Sequence, residues 1–197
     1  SEKYLKLIDE KLNNEKMPKL FISEDEKNWA KIKMEQIGFK KPTAIFPFSV
    51  GAGRTLSAEN IKKWIKGSSK KYLIFGSIND SNKAKALISN CNNNSVKEIC
   101  GKFTLRESIS LIALCESSIA TDSGLGHISA ALGIPTVSFF GKGNSLETSP
   151  LGEKTKVFKH CNPCRGNKCT NNKVGVVCIK KISKKDVEFA VNQLIDQ

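Results

Sequence analysis

Short, largely apolar stretches alternate along this chain with segments whose apolar residues recur at helical spacing. An apolar stretch of strand length is buried on both faces, as happens in a parallel sheet that helices cover on each side. The predicted strands are Ala44–Phe48, Tyr72–Phe75, Ser95–Cys100, Ser118–Ala120, Pro135–Phe140 and Thr155–His160. The alternation therefore predicts an α/β domain built on a doubly wound parallel sheet.

Capping residues mark the helices between these strands. Ser57, Thr104 and Ser183 each stand where an N-cap is expected, and Glu107 completes a capping box with Thr104. Helical spacing predicts a further helix at His127–Leu132.

The first forty residues are highly charged and have a helical pattern of their own. Ser23 and Glu26 form another capping box, and Trp29, Ile32 and Ile37 form an apolar stripe. The chain is thus predicted to have two parts: a helical N-terminal extension or interdomain segment, residues 1–40, and the α/β domain, residues 41–197.

The net charge of +13 comes from 32 basic and 19 acidic residues. A positive field favours anionic partners. A basic module that binds nucleotides or nucleic acid is therefore one alternative interpretation of the chain. However, the excess is almost all lysine spread along the chain, whereas nucleic-acid readers usually cluster arginine with aromatic residues. A solvated lysine-rich surface is the plainer interpretation, and nucleic acid is not the expected partner.

Composition excludes several other classes of protein. A hydrophobic fraction of 39% supplies an ordinary core, and no apolar run reaches the roughly 18–20 residues that cross a bilayer. The opening residues lack the pattern of a secretory signal, and the total of seven cysteines is odd. Both features predict a reducing, cytoplasmic location. Cys91, Cys100 and Cys115 are isolated and are predicted to be buried as small hydrophobes.

The other four cysteines, Cys161, Cys164, Cys169 and Cys178, lie close together near the C-terminus. Four thiolates can hold a structural zinc ion, but the spacing departs from the usual pair of CxxC motifs. Free thiols or adventitious disulfides are the alternatives, as is a zinc module that serves a protein partner.

Ligands of an open parallel sheet bind beyond the carboxyl ends of its strands, so the loops there are the candidate site. The loop Ser49–Arg54 contains two glycines that allow close backbone approach, and Arg54 can grip a phosphate. This loop matches neither the dinucleotide-binding fingerprint nor the P-loop. The alternative to a phosphate-binding loop is an ordinary turn between a strand and a helix.

The segment Thr121–His127 is the stronger candidate. Ser123 and Gly124 belong to a run of small residues that opens a helix, where free N–H groups attract a diphosphate. Asp122 could hold a sugar hydroxyl, orient His127 or cap the helix, and His127 could donate to a phosphate or be structural.

Gly141 and Lys142 open a third, cationic loop at the same edge of the predicted sheet, where a solvated loop is the alternative.

The stretch Thr121–Thr136, running on to Gly141, closely resembles the signature of the heptosyltransferases, glycosyltransferase family 9. The agreement extends to Phe103–Glu107, to Ser49–Arg54 and to the segment around Cys161 and Cys164. These enzymes build the inner core of lipopolysaccharide.

The resemblance implies a GT-B enzyme, in which two Rossmann-like domains face each other across a cleft. This chain is similar to the C-terminal, donor-binding half. The resemblance implies that Asp122, Ser123, Gly124 and His127 hold the diphosphate and sugar of the donor. The resemblance also implies that Arg54 contacts phosphate, with Ser49 nearby, and that Phe103 packs on the nucleotide base.

The resemblance further implies an inverting transfer of heptose from ADP-heptose to a lipopolysaccharide core acceptor, without a required cofactor. The catalytic base belongs to the family's N-terminal domain, so the catalytic residues are unknown here. One departure concerns an acidic residue that some members carry for the ribose, since Asp80 stands one or two positions late. The positive surface adds the expectation of a peripheral contact with the anionic inner membrane.

Overall fold

The computed structural model describes residues 17–50, 54–89, 91, 94–141, 145–159 and 182–196. Its strands are β1 (Thr43–Phe46), β2 (Tyr72–Ile74), β3 (Val96–Glu98), β4 (Ser117–Thr121), β5 (Thr136–Phe140) and β6 (Thr155–Lys159). Its helices are α1 (Glu24–Ile37), α2 (Ala58–Ile65), α3 (Ser81–Ile88), α4 (Leu105–Ile112), α5 (Gly124–Ala131), α6 (Ser145–Thr148) and α7 (Lys184–Ile195). A short 3₁₀ helix, Ile78–Asp80, precedes α3.

The strands form one parallel sheet in the order β3-β2-β1-β4-β5-β6. The chain builds outward from β1 to β3, then returns to place β4 on the other side of β1. Pairs such as Ala44 with Leu73 and Ala44 with Ser118 set the register around the central strand. This confirms the predicted doubly wound sheet, and it puts the reversal of strand order between β1 and β4.

Neighbouring residues of each strand point into two different cores. Ile45 and Ile119 pack on one face with residues of α2, α3 and α7, whereas Ala44, Phe46 and Ala120 pack on the other face with α1 and α4. Because both faces are buried, the strands contain apolar residues at consecutive positions rather than at alternate ones.

The capping boxes form as predicted. The Ser23 hydroxyl accepts a hydrogen bond from the N–H of Glu26, whose carboxylate accepts one in turn from the N–H of Ser23. The same reciprocal pair opens α4 at Thr104. A reciprocal pair also opens α7 at Ser183, where the sequence analysis predicted only an N-cap. Each satisfies N–H groups that have no partner within the helix, so these helix starts are locally determined.

The predicted apolar stripe of α1 is wrong at Ile32, whose side chain is 56% exposed. Ala30 and Met34 form the buried face, with Trp29 and Ile37 partly buried beside them. Residues 30, 34 and 37 follow one face of a helix, and Ile32 is turned about 200° away from Ala30 at 100° per residue.

Several element boundaries also differ from the sequence prediction, and two of them affect the candidate site. β1 ends at Phe46, because Pro47 has no N–H to continue the ladder. α5 begins at Gly124 rather than at His127, so that His127 lies in the first turn of the helix. Cys100 and Cys115 are buried as predicted, whereas Cys91 is only partly buried.

Candidate functional site

A cleft of about 600 Å³ opens at the carboxyl ends of β1, β2 and β4. Its polar lining consists of Ser49, Arg54, Ser77, Asp80, Asp122, Ser123 and His127. Its apolar lining includes Phe46, Phe48, Val50, Phe75, Leu105, Leu125 and Ile128. The cleft therefore lies at the reversal of strand order, where open α/β sheets bind their ligands.

A larger cavity of about 890 Å³ opens at the opposite edge of the sheet, around Lys41, Glu116 and Pro135. That edge carries the amino ends of the strands, and the described residues that line the cavity include no helix N-terminus to attract anions. The cleft at the carboxyl ends is therefore the better candidate.

Arg54 and Asp122 bring together the loops that follow β1 and β4. Arg54 Nη1 lies 3.1 Å from Asp122 Oδ2, and the side chains are 37% and 10% exposed. The contact is an ion pair without hydrogen-bond alignment, since Asp122 Oδ2 is buried and has no hydrogen-bond partner among the described residues. Thr121 at the end of β4 donates a hydrogen bond from its hydroxyl to the carbonyl oxygen of Arg54, which fixes the backbone at Arg54.

The N-terminus of α5 faces this cleft with unused hydrogen-bonding capacity. Ser123 is its N-cap and is extended, at φ −151° and ψ 155°, but its hydroxyl makes no capping bond. That hydroxyl is buried and has no partner within the described part of the chain. The first N–H groups of a helix have no intrahelical partner, so together with Ser123 they form a set of donors for an anion.

The glycines of α5 have different structural roles. A Cβ on Gly126 would lie 3.0 Å from the Cβ of Ala120, so this glycine lets the helix approach β4 closely. A Cβ on Gly124 would have nothing within 4 Å, so the backbone there is open to the cleft. His127 lines the cleft and is exposed, so its imidazole can reach a bound ligand.

Asp80 is a cleft residue that the motif comparison placed too late. The 3₁₀ helix after β2 turns its carboxylate into the lining, and Asp80 Oδ2 accepts hydrogen bonds of 3.1 Å and 2.6 Å from the N–H and hydroxyl of Ser77. Lys83 Nζ lies 3.8 Å from the other carboxylate oxygen, Oδ1. The Ser-x-x-Asp capping pattern of Ser77 and Asp80 is the sequence feature that could have predicted this position.

Two other predicted site residues, Phe103 and Gly141, lie outside the lining of this cleft. Phe103 does not line this cleft; its ring packs edge-to-face on Trp29, with ring centres 5.7 Å apart. Gly141 follows β5 and is also outside the lining. Lys142 and the four clustered cysteines Cys161, Cys164, Cys169 and Cys178 fall outside the described residues, so the zinc site remains a prediction.

Within the ranges that the structure describes, no group of three or more His, Cys, Asp or Glu side chains is arranged to hold a metal ion. Within the same ranges, no helix combines the length and apolarity needed to cross a bilayer.

Residues 2–175 match the model of a known family, described as glycosyltransferase family 9 (heptosyltransferase). The chain belongs to glycosyltransferase family 9. The family membership inferred from the Thr121–Thr136 signature is thereby confirmed.

Curated members of the family resemble part of the chain. Lipopolysaccharide heptosyltransferase 2 of Salmonella typhimurium is 30% identical over 90 residues, which is 44% of this chain and 26% of that protein. Lipooligosaccharide heptosyltransferase 2 of Campylobacter jejuni is 35% identical over 81 residues, or 39% of this chain and 25% of that protein.

Solved structures of the family share the fold over most of the chain. E. coli ADP-heptose lipopolysaccharide heptosyltransferase II matches with a TM-score of 0.72 and 25% identity, over 91% of this chain and 54% of that one. A family 9 glycosyltransferase of Veillonella parvula matches with a TM-score of 0.72 and 18% identity, over 90% and 53%. The chain thus spans about half the length of these relatives.

Proposed function

We propose that this chain is the C-terminal, donor-binding half of a GT-B glycosyltransferase that moves heptose from ADP-heptose to a lipopolysaccharide core acceptor. Family membership supports the reaction class, and the position of the cleft at the carboxyl ends of β1 and β4 supports donor binding. The observation that carries the proposal is the set of unused donors at the start of α5, beside Arg54.

In this proposal the diphosphate of the donor binds at the N-terminus of α5. The N–H groups around Gly124 and the Ser123 hydroxyl donate hydrogen bonds to it, and Arg54 supplies a positive charge. His127 donates to the same diphosphate from the first turn. These groups match the charge and the oxygen acceptors of a diphosphate, because all of them are donors.

The rest of the donor uses the remaining cleft. Asp122 Oδ2 accepts hydrogen bonds from sugar hydroxyls, and Asp80 accepts them from the ribose. Ser49 donates near the phosphates. Phe103 does not line this cleft, so its role at the base is a prediction from the family resemblance alone. Gly141 and Lys142 remain predicted contributors from the loop after β5.

The proposed transfer inverts the anomeric carbon in one displacement. A carboxylate of the acceptor-binding domain removes the proton of the acceptor hydroxyl, whose oxygen forms the new bond to the sugar. The bond from the anomeric carbon to the diphosphate breaks, and its electron pair goes to the diphosphate oxygen. Arg54 and the N–H groups of α5 stabilise the charge that develops there. No cofactor is required, and the half alone binds donor without transferring it.

Titration calorimetry of the chain with ADP-heptose, ADP, UDP and GDP tests the donor assignment. We expect saturable binding of ADP and of ADP-heptose, and weaker binding of UDP and GDP. Equal binding of all the nucleotides would overturn the ADP assignment. Strongly salt-dependent binding of DNA or RNA, with no nucleotide preference, would favour a basic nucleic-acid module instead.

The proposed cellular setting is the cytoplasmic face of the inner membrane, where the lysine-rich surface would contact anionic lipid. Sedimentation with vesicles of increasing anionic lipid content tests this contact. Binding should rise with anionic lipid and fall with salt, and binding that is the same on neutral vesicles would contradict it.

A further inference from the structure

The carboxylate of Asp122 lies beside donors that are suited to an anion. It follows the end of β4 directly and precedes the N-cap Ser123, so it is next to the open N-terminus of α5. Its side chain is only 10% exposed, and its Oδ2 has an ion-pair contact with Arg54 but no hydrogen-bond partner in the described parts of the chain. A buried carboxylate at this position opposes the binding of any anion there.

We propose that Asp122 is a specificity-determining residue that makes the cleft favour a sugar-linked diphosphate over the free nucleoside diphosphate. This inference rests on the proposed function. The two ligands share the nucleoside and both phosphates, and they differ only at the terminal phosphate.

Charge provides the first part of the discrimination. A free terminal phosphate loses a second proton with a pKa near 6, so at neutral pH the free diphosphate carries one more negative charge than its sugar ester. Asp122 repels that added charge and also competes with it for Arg54, whose Nη1 is 3.1 Å from the carboxylate. Removing the charge of Asp122 must therefore help the free diphosphate more than the ester.

Hydrogen bonding provides the second part, and it acts in the same direction. Asp122 Oδ2 is buried, and its ion-pair contact with Arg54 is not aligned as a hydrogen bond, so a hydrogen bond from a ligand would stabilise it further. The hydroxyls of a sugar can donate to it. A free diphosphate at neutral pH has no hydroxyl on the terminal phosphate, so it leaves the acceptor unsatisfied.

The consequence for the reaction is a lower affinity for the product than for the donor. Once the sugar leaves, the site holds a ligand with an added negative charge next to Asp122 and no hydroxyl to satisfy it. Asp122 thus accepts a hydrogen bond from the sugar of the nucleotide sugar, but it lowers the affinity for the free diphosphate and speeds the release of that product.

Binding of ADP and of its β-methyl ester separates the charge effect from contacts with a sugar. The methyl group removes one negative charge from the terminal phosphate and adds no hydroxyl. We expect Asp122→Asn to tighten ADP about tenfold, equivalent to about 1.4 kcal/mol, and to tighten the ester by no more than about threefold. Asp122→Ser should shift the ratio in the same direction, and melting curves verify that both variants are folded.

Asp80→Asn is the matched control, since it removes the other carboxylate of the cleft from the β2 side, where Ser77 holds it. It should change the affinities for ADP and the ester by the same factor. Equal changes for the two ligands in both Asp122 variants, or a weakening of ADP, would overturn the inference while leaving donor binding intact. Failure of the unaltered chain to bind either ligand would instead overturn the proposed function, and this inference with it.

Discussion

Arg54 Nη1 and Asp122 Oδ2 lie 3.1 Å apart and connect the loop after β1 to the loop after β4. These two strands are neighbours at the centre of the sheet, although far apart in sequence. The contact places an arginine next to the N-terminus of α5. The backbone N–H groups of the helix and the side chain of Arg54 can therefore contact the same bound anion.

Loss of the Arg54 side chain should weaken diphosphate binding without unfolding the chain. Arg54 is partly exposed, and charge-assisted hydrogen bonds to phosphate are worth about 1.5–3 kcal/mol. We expect Arg54→Ala to raise the Kd for ADP by roughly 10- to 100-fold in calorimetry.

Arg106→Ala is the control, because Arg106 pairs with Glu26 and does not line the cleft. Its affinity for ADP should stay within about twofold of the original. A loss of binding in both variants would indicate a general charge effect rather than a contact made by Arg54.

Two glycines of α5 should respond differently to alanine. Gly124 has open space at its missing Cβ, so Gly124→Ala should keep the free energy of unfolding within about 1 kcal/mol and yet obstruct the diphosphate. Gly126→Ala should lower the free energy of unfolding by about 1–2 kcal/mol, because Ala120 is fully buried in the central sheet and cannot move away. Urea unfolding and ADP titration of both variants measure this. Unimpaired ADP binding by Gly124→Ala would show that the diphosphate does not bind at the start of α5.

The free energy of unfolding should depend on pH because of the Glu26 carboxylate. Hydrogen bonds from Arg106 and from the backbone N–H of Ser23 lower the pKa of Glu26 to about 2, from 4.5. A pKa depressed in the folded state contributes stability that is complete above pH 4.5 and is lost as the pH falls toward 2. The free energy of unfolding of the original chain should therefore exceed that of Glu26→Gln at pH 7, and the difference should shrink between pH 4.5 and pH 2. A difference that is constant across this range would contradict the assignment.

The local features of the fold were accessible from sequence. Ser23, Thr104 and Ser183 cap their helices through bonds to residues three positions away, so the pattern alone identifies them. The parallel sheet followed from strands that are apolar on both faces.

The features set by tertiary packing were not accessible in the same way. Ile32 fits a helical stripe, but the face of α1 that packs on α4 is centred on Ala30 and Met34. Asp80 reaches the cleft only because a 3₁₀ helix shifts it. Phe103 has its ring against Trp29, a contact with a helix far earlier in the chain.

The buried thiols should be slow to react. Burial, with the nearby carboxylates of Glu98 and Asp80, raises the pKa of Cys100 to about 12, and burial alone raises the pKa of Cys115. At pH 8 roughly one Cys100 in ten thousand is then thiolate, the reactive form.

Brief treatment with iodoacetamide followed by peptide mass spectrometry should show Cys91, which is partly exposed, modified before Cys100 and Cys115. All three should react in guanidinium, which serves as the unfolded control. Modification of Cys100 or Cys115 at the rate of Cys91 in the folded chain would contradict their burial.

We propose that a nucleoside diphosphate binds where β1, β4 and the start of α5 meet. Titration of the ¹⁵N-labelled chain with ADP, followed by amide NMR, tests it residue by residue. We expect saturable shifts that are largest for the backbone amides of residues 123–127 and for Arg54. Saturable shifts that centre instead on Lys41 and Glu116, at the opposite edge of the sheet, would contradict it.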